Sequence, residues 1–254
     1  MSVHVETMGS GPHLALLHGW GLNSAVWDSV RASLAKNFTL HLIDLPGHGY
    51  SSATPFSSLA SATDAIAEVL PAPCHVLGWS LGGHIALSIA QRQQASIAKL
   101  VLVATTPRFV EAADWPFGKK ARVLDDFAAR LANNYAATIR GFLALQTLNQ
   151  PDARKTIAAL QAAMSARGEP SASALQAGLE VLRVSDLRSQ LADIQHRALV
   201  IQGDHDALTA TGAAHWLAEH LPNAEYALIE HAAHAPFLSH QAIFLQHVRE
   251  FLAP

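Results

Sequence analysis

Residues 74 to 92 constrain the fold most strongly, because they predict a buried strand, a sharp turn and a helix in direct succession. The apolar strand run ends at Gly78, and a helical stretch with Ile85 and Ile89 follows the turn. Between them, Gly-Trp-Ser-Leu-Gly at 78–82 matches the G-x-S-x-G pattern of a nucleophile elbow, which exposes a serine on a tight turn. The pattern arises by chance in roughly one in ten chains of this length, so a glycine-rich turn without chemistry stays open as an alternative.

Short apolar runs alternate with helical patterns over most of the chain, which predicts a parallel sheet covered by helices on both faces. We expect strands at 3–7 (an edge strand), 14–17, 38–43, 74–77, 100–103, 197–202 and 225–229. We expect helices at 24–36, 61–70, 211–220 and 241–252. Ser24 is the predicted N-cap of the first of these helices. The predicted fold class is therefore α/β.

The composition changes between residues 107 and 185, where no strand-like run is present. The apolar residues of this segment instead have helical spacing, as at Leu175, Leu179 and Leu182. An all-helical segment inside an alternating strand–helix chain predicts a lid over the sheet. We therefore predict three segments: a first core part at 1–106, a helical lid at 107–185 and a second core part at 186–254.

Composition and charge narrow the class of protein. Half of the 254 residues are hydrophobic and 15% are charged, which fits a chain with a large buried sheet. The net charge of −3 gives no reason to expect nucleic acid or an anionic membrane as a partner. No apolar run reaches the roughly 18 residues of a membrane span. The single cysteine and the lack of a signal-peptide pattern favour a cytoplasmic protein, which we expect to be a monomer.

A nucleophilic serine needs a histidine base, and the base needs an orienting carboxylate. Ligands collect at the carboxyl ends of the strands in an open α/β sheet, so both partners should follow strands near the elbow. The strand at 197–202 is followed by Gly-Asp-His-Asp, and the strand at 225–229 by Glu-His-Ala-Ala-His. The chain order Ser, Asp, His therefore predicts a catalytic triad.

The carboxylate and the histidine each have two candidates. Asp206 lies two residues deeper in its loop than Asp204 and is better placed to reach a histidine, whereas Asp204 can cap the turn. His234 precedes Ala-Pro-Phe and a helix that would fix its loop, whereas His231 suits a surface position. We predict Ser80 as the nucleophile, His234 as its base and Asp206 as the orienting carboxylate.

Two backbone amides should bind the oxyanion that forms when a serine attacks a carbonyl. One is the amide of Leu81, directly after the serine at the start of the helix. The other should come from the loop after the strand at 14–17, which reads His-Gly-Trp-Gly and offers the amide of Trp20. We expect His18 only to hold this turn.

Fifteen histidines raise the question of a metal site. The chain lacks a His-Glu-x-x-His motif, and the pair His231 and His234 has no third ligand nearby at a usual spacing. The glycines at 47 and 49 are not followed by the residues of a phosphate-binding loop. We predict no metal and no cofactor.

Six stretches match a known family: LLHGWGLN (16–23), LPGHG (45–49), LGWSLGG (77–83), FLALQT (142–147), GLEVL (178–182) and AAHAPF (232–237). With them the chain resembles the α/β-hydrolase superfamily over essentially its whole length. Trp20, Trp79 and the lid stretch FLALQ narrow the resemblance to the esterases that act on the methyl ester of pimeloyl-[acyl-carrier protein] in biotin synthesis. The resemblance implies a mostly parallel sheet with a helical lid, and ester hydrolysis through an acyl-enzyme on Ser80.

The resemblance also implies a substrate site and a partner. Its acyl-site residues are Trp20, Ser80, Leu81, Phe142, Leu143, Ala144, Leu145, Gln146 and His234. The implied partner is an acyl-carrier protein, whose phosphopantetheine phosphate meets lid arginines in that family. This chain keeps Arg154 and offers Arg140 as a substitute, while the other arginine positions are shifted or lost.

Charge is distributed unevenly along the chain. Residues 115–167 carry eight basic and three acidic side chains, although the whole chain has a net charge of −3. This excess predicts that the lid docks an acidic carrier, and a solvated helical surface is the alternative. Two other functions stay open: a short-chain carboxylesterase or C–C bond hydrolase with the same triad, and a ligand-binding protein without activity.

Overall fold

A computed structural model describes residues 2–92 and 96–253 of the chain. Its seven strands are β1 (Val5–Gly9), β2 (His13–Leu17), β3 (Thr39–Ile43), β4 (Cys74–Trp79), β5 (Ile97–Val103), β6 (Arg197–Gly203) and β7 (Ala224–Ile229). They form one sheet in the order β1-β3-β2-β4-β5-β6-β7. β1 runs antiparallel to β3, and the other neighbouring pairs are parallel. The predicted α/β class with a mostly parallel sheet is confirmed.

The helices flank this sheet or form an insertion in it. They are α1 (Asp28–Leu34), α2 (Leu59–Ala67), α3 (Leu81–Arg92), α4 (Ala121–Asn133), α5 (Tyr135–Leu145), α6 (Ala153–Ala166), α7 (Ala172–Val184), α8 (Thr211–His220), α9 (Pro236–Ser239) and α10 (Gln241–Leu252). Within residues 2–92 and 96–253, none combines the length and the apolar character that crossing a bilayer requires.

The predicted helix at 24–36 differs from the observed structure at its start. Ser24–Trp27 forms a 3-10 turn that leads into α1, and Asn23 caps it by accepting a hydrogen bond from the amide of Ala25. Ser24 was therefore the wrong N-cap. Its hydroxyl instead donates to the buried carboxylate of Asp44 over 2.6 Å, an interaction between distant residues that the local sequence does not indicate.

The central strands explain why the sequence reads as apolar runs there. Every residue of β4 is buried, and α3 packs against it with ten buried residues from Leu81 to Ala90. A parallel sheet that is covered on both faces has no solvent side, so its strands need continuous rather than alternating hydrophobicity. This rigid layer carries the strand ends where polar side chains of the loops meet.

The helices α4 to α7 lie between β5 and β6 in the chain and pack on one another above the sheet. In α4 only Leu124 and Leu131 are buried, so most of that helix faces solvent. Arg108, before these helices, and Asp186, after them, form an isolated β-bridge and an ion pair. The chain therefore enters and leaves the insertion at neighbouring points. The segment boundaries at 107 and 185 stay a prediction.

Candidate active site

The turn between β4 and α3 holds Ser80 in a left-handed conformation, with φ of +55°. A residue other than glycine adopts this region only at an energetic cost, so the surrounding structure must hold it there. The amide of Ser80 donates to the carbonyl of Val103 over 3.0 Å, and the hydroxyl of Thr105 donates to the carbonyl of Ser80 over 2.9 Å. Strand β5 and the residues after it thus fix the backbone of the serine from both sides.

Glycine is required on both sides of the turn because the backbones approach closely. A Cβ atom on Gly82 would collide with the carbonyls of Leu17 and His18, and one on Gly78 would collide with the backbone of Gly82. The first turn of α3 can therefore press against the end of β2. This contact brings the amide of Leu81 to the same side as the loop after β2.

A histidine and a carboxylate from two neighbouring strand ends form a buried pair. Nδ1 of His234 lies 2.8 Å from Oδ2 of Asp206, and the two side chains are 2% and 0% exposed. Asp206 also accepts hydrogen bonds from the amide of Leu208, from Gln202 and from both the amide and the hydroxyl of Thr209. This carboxylate is therefore fixed by its own loop before it meets the histidine.

Burial alone would raise the pKa of Asp206, but the charge of His234 and the hydrogen bonds from His234 and Thr209 outweigh it, so the pKa lies below its ordinary value. The group is thus a carboxylate near neutral pH. A carboxylate only accepts hydrogen bonds, so Nδ1 of His234 must carry the proton that the two share. Nε2 of a neutral His234 then presents a lone pair.

His234 is tied to the elbow strand and to the lid through its backbone. Its carbonyl accepts a hydrogen bond from the indole of Trp79 over 2.8 Å, and its amide donates to the carbonyl of Gln146 over 3.1 Å. The rings of Trp79 and His234 are 5.5 Å apart. The residue before the serine and the end of the lid helix α5 therefore both position the histidine. The competing candidate His231 is exposed.

The loop after β2 lies against the serine. A Cβ on Gly19 would stand 3.3 Å from the Cβ of Ser80. Nδ1 of His18 donates to the carbonyl of Gly19 over 2.8 Å, while Nε2 accepts from the amide of Leu45 over 2.9 Å. Burial lowers the pKa of His18 to about 4, which keeps the ring neutral at pH 7. His18 holds the turn, as predicted, and the indole of Trp20 anchors the loop to the carbonyl of Leu175.

A cavity of about 200 Å³ lies between the elbow and the lid. It is lined by Trp20, Ser80, Phe109, Lys119, Val123, Leu124, Phe127, Phe142, Leu145, Leu179, Leu182, Ala207 and Leu208. Lys119 is the only charged side chain in this lining, and Ser80 is the only hydroxyl. An apolar chain would be covered there with its reactive group beside a serine.

The predicted acyl-site residues occupy different environments. Phe142 and Leu145 line the cavity together with Trp20 and Ser80. Leu143 is buried in the core, as is Leu81, and Ala144 faces solvent.

Gln146 is also buried, and neither polar atom of its side-chain amide has a hydrogen-bond partner among the described residues. A buried amide without partners is unfavourable. Gln146 is not among the residues that line the cavity.

Several lining residues were not predicted as part of the site. Ala207 and Leu208 directly follow Asp206, and Phe109 and Lys119 come from the segment that leads into α4. The helical spacing of Leu124, Phe127, Leu179 and Leu182 was recognisable, but it does not distinguish packing between lid helices from lining a cavity.

Both predicted docking arginines are exposed. Arg140 and Arg154 form no ion pair with any residue of 2–92 or 96–253. Arg167, also one of the basic residues counted between 115 and 167, has a side chain only 8% exposed and pairs with Glu6. It therefore contributes to the structure and not to the surface charge of the lid.

Ser80 on the turn after β4, and the pair of His234 and Asp206 on two loops of the same sheet edge, are the residue types that a serine hydrolase uses. Residues 12–241 match the family model described as alpha/beta hydrolase fold, so the chain is an α/β hydrolase. An esterase from Exiguobacterium antarcticum has a similar fold, with a TM-score of 0.88, 21% identity and coverage of 99% of this chain and 96% of that chain.

Curated relatives narrow this class. The chain is 44% identical to the pimeloyl-[acyl-carrier protein] methyl ester esterase of Nitrosomonas europaea over 94% of each chain. It is 41% identical to the protein of that name from Chromobacterium violaceum, over 99% of this chain and 98% of the relative. The chain belongs to the family of pimeloyl-[acyl-carrier protein] methyl ester esterases and is a carboxylic ester hydrolase.

Proposed function

We propose that the chain hydrolyses the methyl ester of pimeloyl-[acyl-carrier protein], releasing methanol and the free distal carboxylate for biotin synthesis. The observation that carries the proposal is the buried pair of His234 and Asp206, 2.8 Å apart, which the indole of Trp79 links to the strand that ends before Ser80. The relatives described above carry this activity in their names and align with nearly the whole chain. The proposal assigns the reaction to Ser80, His234 and Asp206.

In the proposed reaction, Oγ of Ser80 attacks the ester carbonyl while Nε2 of His234 accepts the hydroxyl proton. The amides of Trp20 and Leu81 bind the oxyanion, and Asp206 stabilises the imidazolium. The tetrahedral intermediate collapses, the carbon–oxygen bond to the methoxy group breaks, and His234 gives its proton to the departing methanol. Water then attacks the acyl-enzyme with His234 as base, which restores Ser80 and leaves the carboxylic acid.

The cavity supports a long, narrow acyl chain as the substrate. Its volume of about 200 Å³ is below the roughly 300–1,000 Å³ of pockets that hold drug-sized ligands. Three aromatic rings, from Trp20, Phe127 and Phe142, pack edge to face or tilted along it, with centroids 5.1 to 5.7 Å apart. A polymethylene chain gains free energy from contact with such a surface, whereas a charged group would lose hydration there.

An acyl-carrier protein is the proposed partner because the acyl chain is delivered on it. The lid around the cavity presents exposed basic side chains on α4, α5 and α6: Arg122, Arg130, Arg140 and Arg154. Opposite charge on a carrier would speed the encounter, and an arginine fork suits a phosphate group. We propose Arg140 and Arg154 as contacts of the carrier or its phosphopantetheine arm.

The first test is the Ser80→Ala chain with methyl pimeloyl-carrier as substrate. Loss of a triad member removes most of the rate enhancement, so we expect kcat to fall by about 10⁵–10⁶-fold. Mass spectrometry of the carrier would follow loss of the methyl group. The matched control is Ser88→Ala, which removes a buried hydroxyl from α3, the helix that follows the elbow.

Growth provides the second test. Wild-type chain should restore growth without biotin to a strain that lacks the methyl-esterase step, and Ser80→Ala should not. Activity on short esters without activity on the carrier-linked ester would favour a short-chain carboxylesterase instead. Slow or absent labelling of Ser80 by a fluorophosphonate would favour a ligand-binding protein and contradict the proposed chemistry.

A further inference from the structure

Three potential metal ligands meet beside the active site, on two loops at the carboxyl edge of the sheet. Asp204 and His205 follow β6, and His231 follows β7. One ligand atom from each residue lies within 4.8 Å of the others. The sequence pattern could not indicate this group, because the third ligand expected near His231 comes from a different loop.

His205 has a hydrogen bond that orients its ring towards the group. Its Nδ1 lies 2.7 Å from the carbonyl oxygen of Asn149, and a carbonyl can only accept a hydrogen bond. Nδ1 therefore carries a proton, and Nε2 is the ring nitrogen left to bind a metal. Metal-binding histidines are commonly oriented in this way by a hydrogen bond to a backbone carbonyl.

Asp204 offers a carboxylate whose charge is poorly compensated by the protein. Its side chain is only 27% exposed, and Oδ1 is buried without a hydrogen-bond partner among the described residues. Oδ2 lies 4.0 Å from Nε2 of His205, and His240 also lies close enough to interact with this carboxylate. A carboxylate with so few donors is costly to bury, and a cation on this side would offset that cost.

His231 completes the group from the opposite loop. Its ring meets the ring of His205 edge to face, with centroids 5.5 Å apart, and the residue is exposed. An ion with tetrahedral bonds of about 2.0–2.1 Å holds its ligand atoms roughly 3.4 Å apart. Rotation of the exposed His231 ring can bring the atoms from within 4.8 Å to that spacing.

We propose that Asp204, His205 and His231 bind one divalent transition-metal ion of the zinc class. Two imidazoles and one carboxylate are a donor set that Zn²⁺ accepts, with water in the fourth position. The site is separate from the triad, since His234 and Asp206 are bonded to each other. The proposed metal site joins the loop after β6, which carries Asp206, to the loop after β7, which carries His234. The hydrogen bond between His205 and Asn149 also connects it to the segment between α5 and α6.

The test is a titration of chelator-treated, metal-free chain with ZnCl₂. Isothermal titration calorimetry measures the affinity, and the melting temperature is measured with and without the metal. We expect one Zn²⁺ per chain, a rise in melting temperature, and at least a tenfold weaker affinity in His231→Gln and in Asp204→Asn. His215→Gln is the matched control, because His215 is an exposed histidine beside an acidic residue on α8. Its affinity should equal that of the wild type.

The melting temperatures without metal separate loss of binding from loss of fold. His231→Gln should melt within a few degrees of the wild type when Zn²⁺ is absent, because its side chain is exposed. Equal Zn²⁺ affinity in wild type and His231→Gln would overturn the proposal. So would binding that disappears only in His234→Ala, which would place the ion on the catalytic histidine.

Discussion

The carboxyl edge of the sheet and the lid above it hold their residues by different forces. At the sheet edge, Asp206 accepts hydrogen bonds from four residues, and the backbone of Ser80 is hydrogen-bonded to Val103 and Thr105 beyond its own helix. Their positions are therefore determined by directional contacts. In the lid, Phe142 is held by apolar packing, whereas Leu145 is 39% exposed. Under the proposed function, the sheet edge would carry the reaction and the lid would select the substrate, and the following predictions test that difference.

The two regions also differ in titratable groups. All fifteen histidines lie outside the segment 107–185, and three of those in the core are fully buried with strongly lowered pKa values. The lid instead carries an excess of arginine and lysine and no histidine. Acid should therefore act on the core, whereas salt should act on recognition by the lid.

The largest effect should follow a change in the hydrogen bond to His234, the proposed base. Asp206→Asn should lower kcat by about 10³–10⁴-fold for every ester, because an amide favours the wrong tautomer of His234. Asp204→Asn, assayed with a chelator present, should cost much less. Steady-state kinetics on a carrier-linked and a small ester would show this, and the opposite ranking of the two variants would mean that Asp204 is the catalytic carboxylate.

A truncation in the lid should affect long substrates selectively. Phe142→Ala removes a ring that packs against Trp20 and Phe127, so kcat/KM for a long-chain ester should fall about 10–200-fold. An acetyl ester should change only a few-fold. Leu148→Ala is the matched control, since that lid residue is 46% exposed and does not line the cavity. Equal losses for both esters would show that Phe142 supports the triad and not the acyl chain.

Removal of lid charge should give a smaller effect that depends on salt. Arg154→Glu should lower kcat/KM for the carrier-linked ester about tenfold at low salt, mainly through slower association. The difference should shrink near 0.5 M NaCl, where the Debye length is only about 4 Å. A free methyl ester should respond to neither change. Lys36→Glu, on the core surface, is the control; if it matches Arg154→Glu, the effect is one of net charge.

The last predicted effect is on stability in acid and not on catalysis. Burial lowers the pKa of His84 from 6.5 to about 4, so the unfolded chain binds a proton between these pH values and the folded chain does not. The free energy of unfolding must then fall as pH drops from 6.5 to 4.

His84→Leu should make that fall shallower by about 1–3 kcal/mol, measured by urea unfolding at several pH values. The exposed His215→Leu should leave the slope unchanged. An identical slope in wild type and His84→Leu would show that His84 is not held neutral in the folded state.

The sequence predicted most of the sheet edge because its signals are local. Gly78, Ser80 and Gly82 lie within five residues, and each polar loop directly follows an apolar strand. The order of the strands in the sheet then brings the loops together. The wrong cap at Ser24 shows the limit of this reasoning, since its hydroxyl bonds to Asp44, twenty residues away.

The lid was less predictable because its helices pack through long-range contacts. The FLALQ stretch gave no indication that Leu143 turns into the core while Ala144 faces solvent. Lys119 and Phe109 lie outside any helix of the lid, so no periodicity marked them as lining residues. The group of Asp204, His205 and His231 likewise depends on the pairing of β6 with β7, which no spacing within one loop reveals.

One ratio of activities tests the proposal that the sheet edge carries the reaction and the lid selects the substrate. It is kcat/KM for methyl pimeloyl-carrier divided by kcat/KM for p-nitrophenyl acetate, measured in wild type, Asp206→Asn and Phe142→Ala. We predict that Asp206→Asn lowers both activities and leaves the ratio within about threefold of wild type, because the triad serves every ester. Phe142→Ala should lower the ratio at least tenfold. A ratio that changes in Asp206→Asn and stays constant in Phe142→Ala would contradict the account.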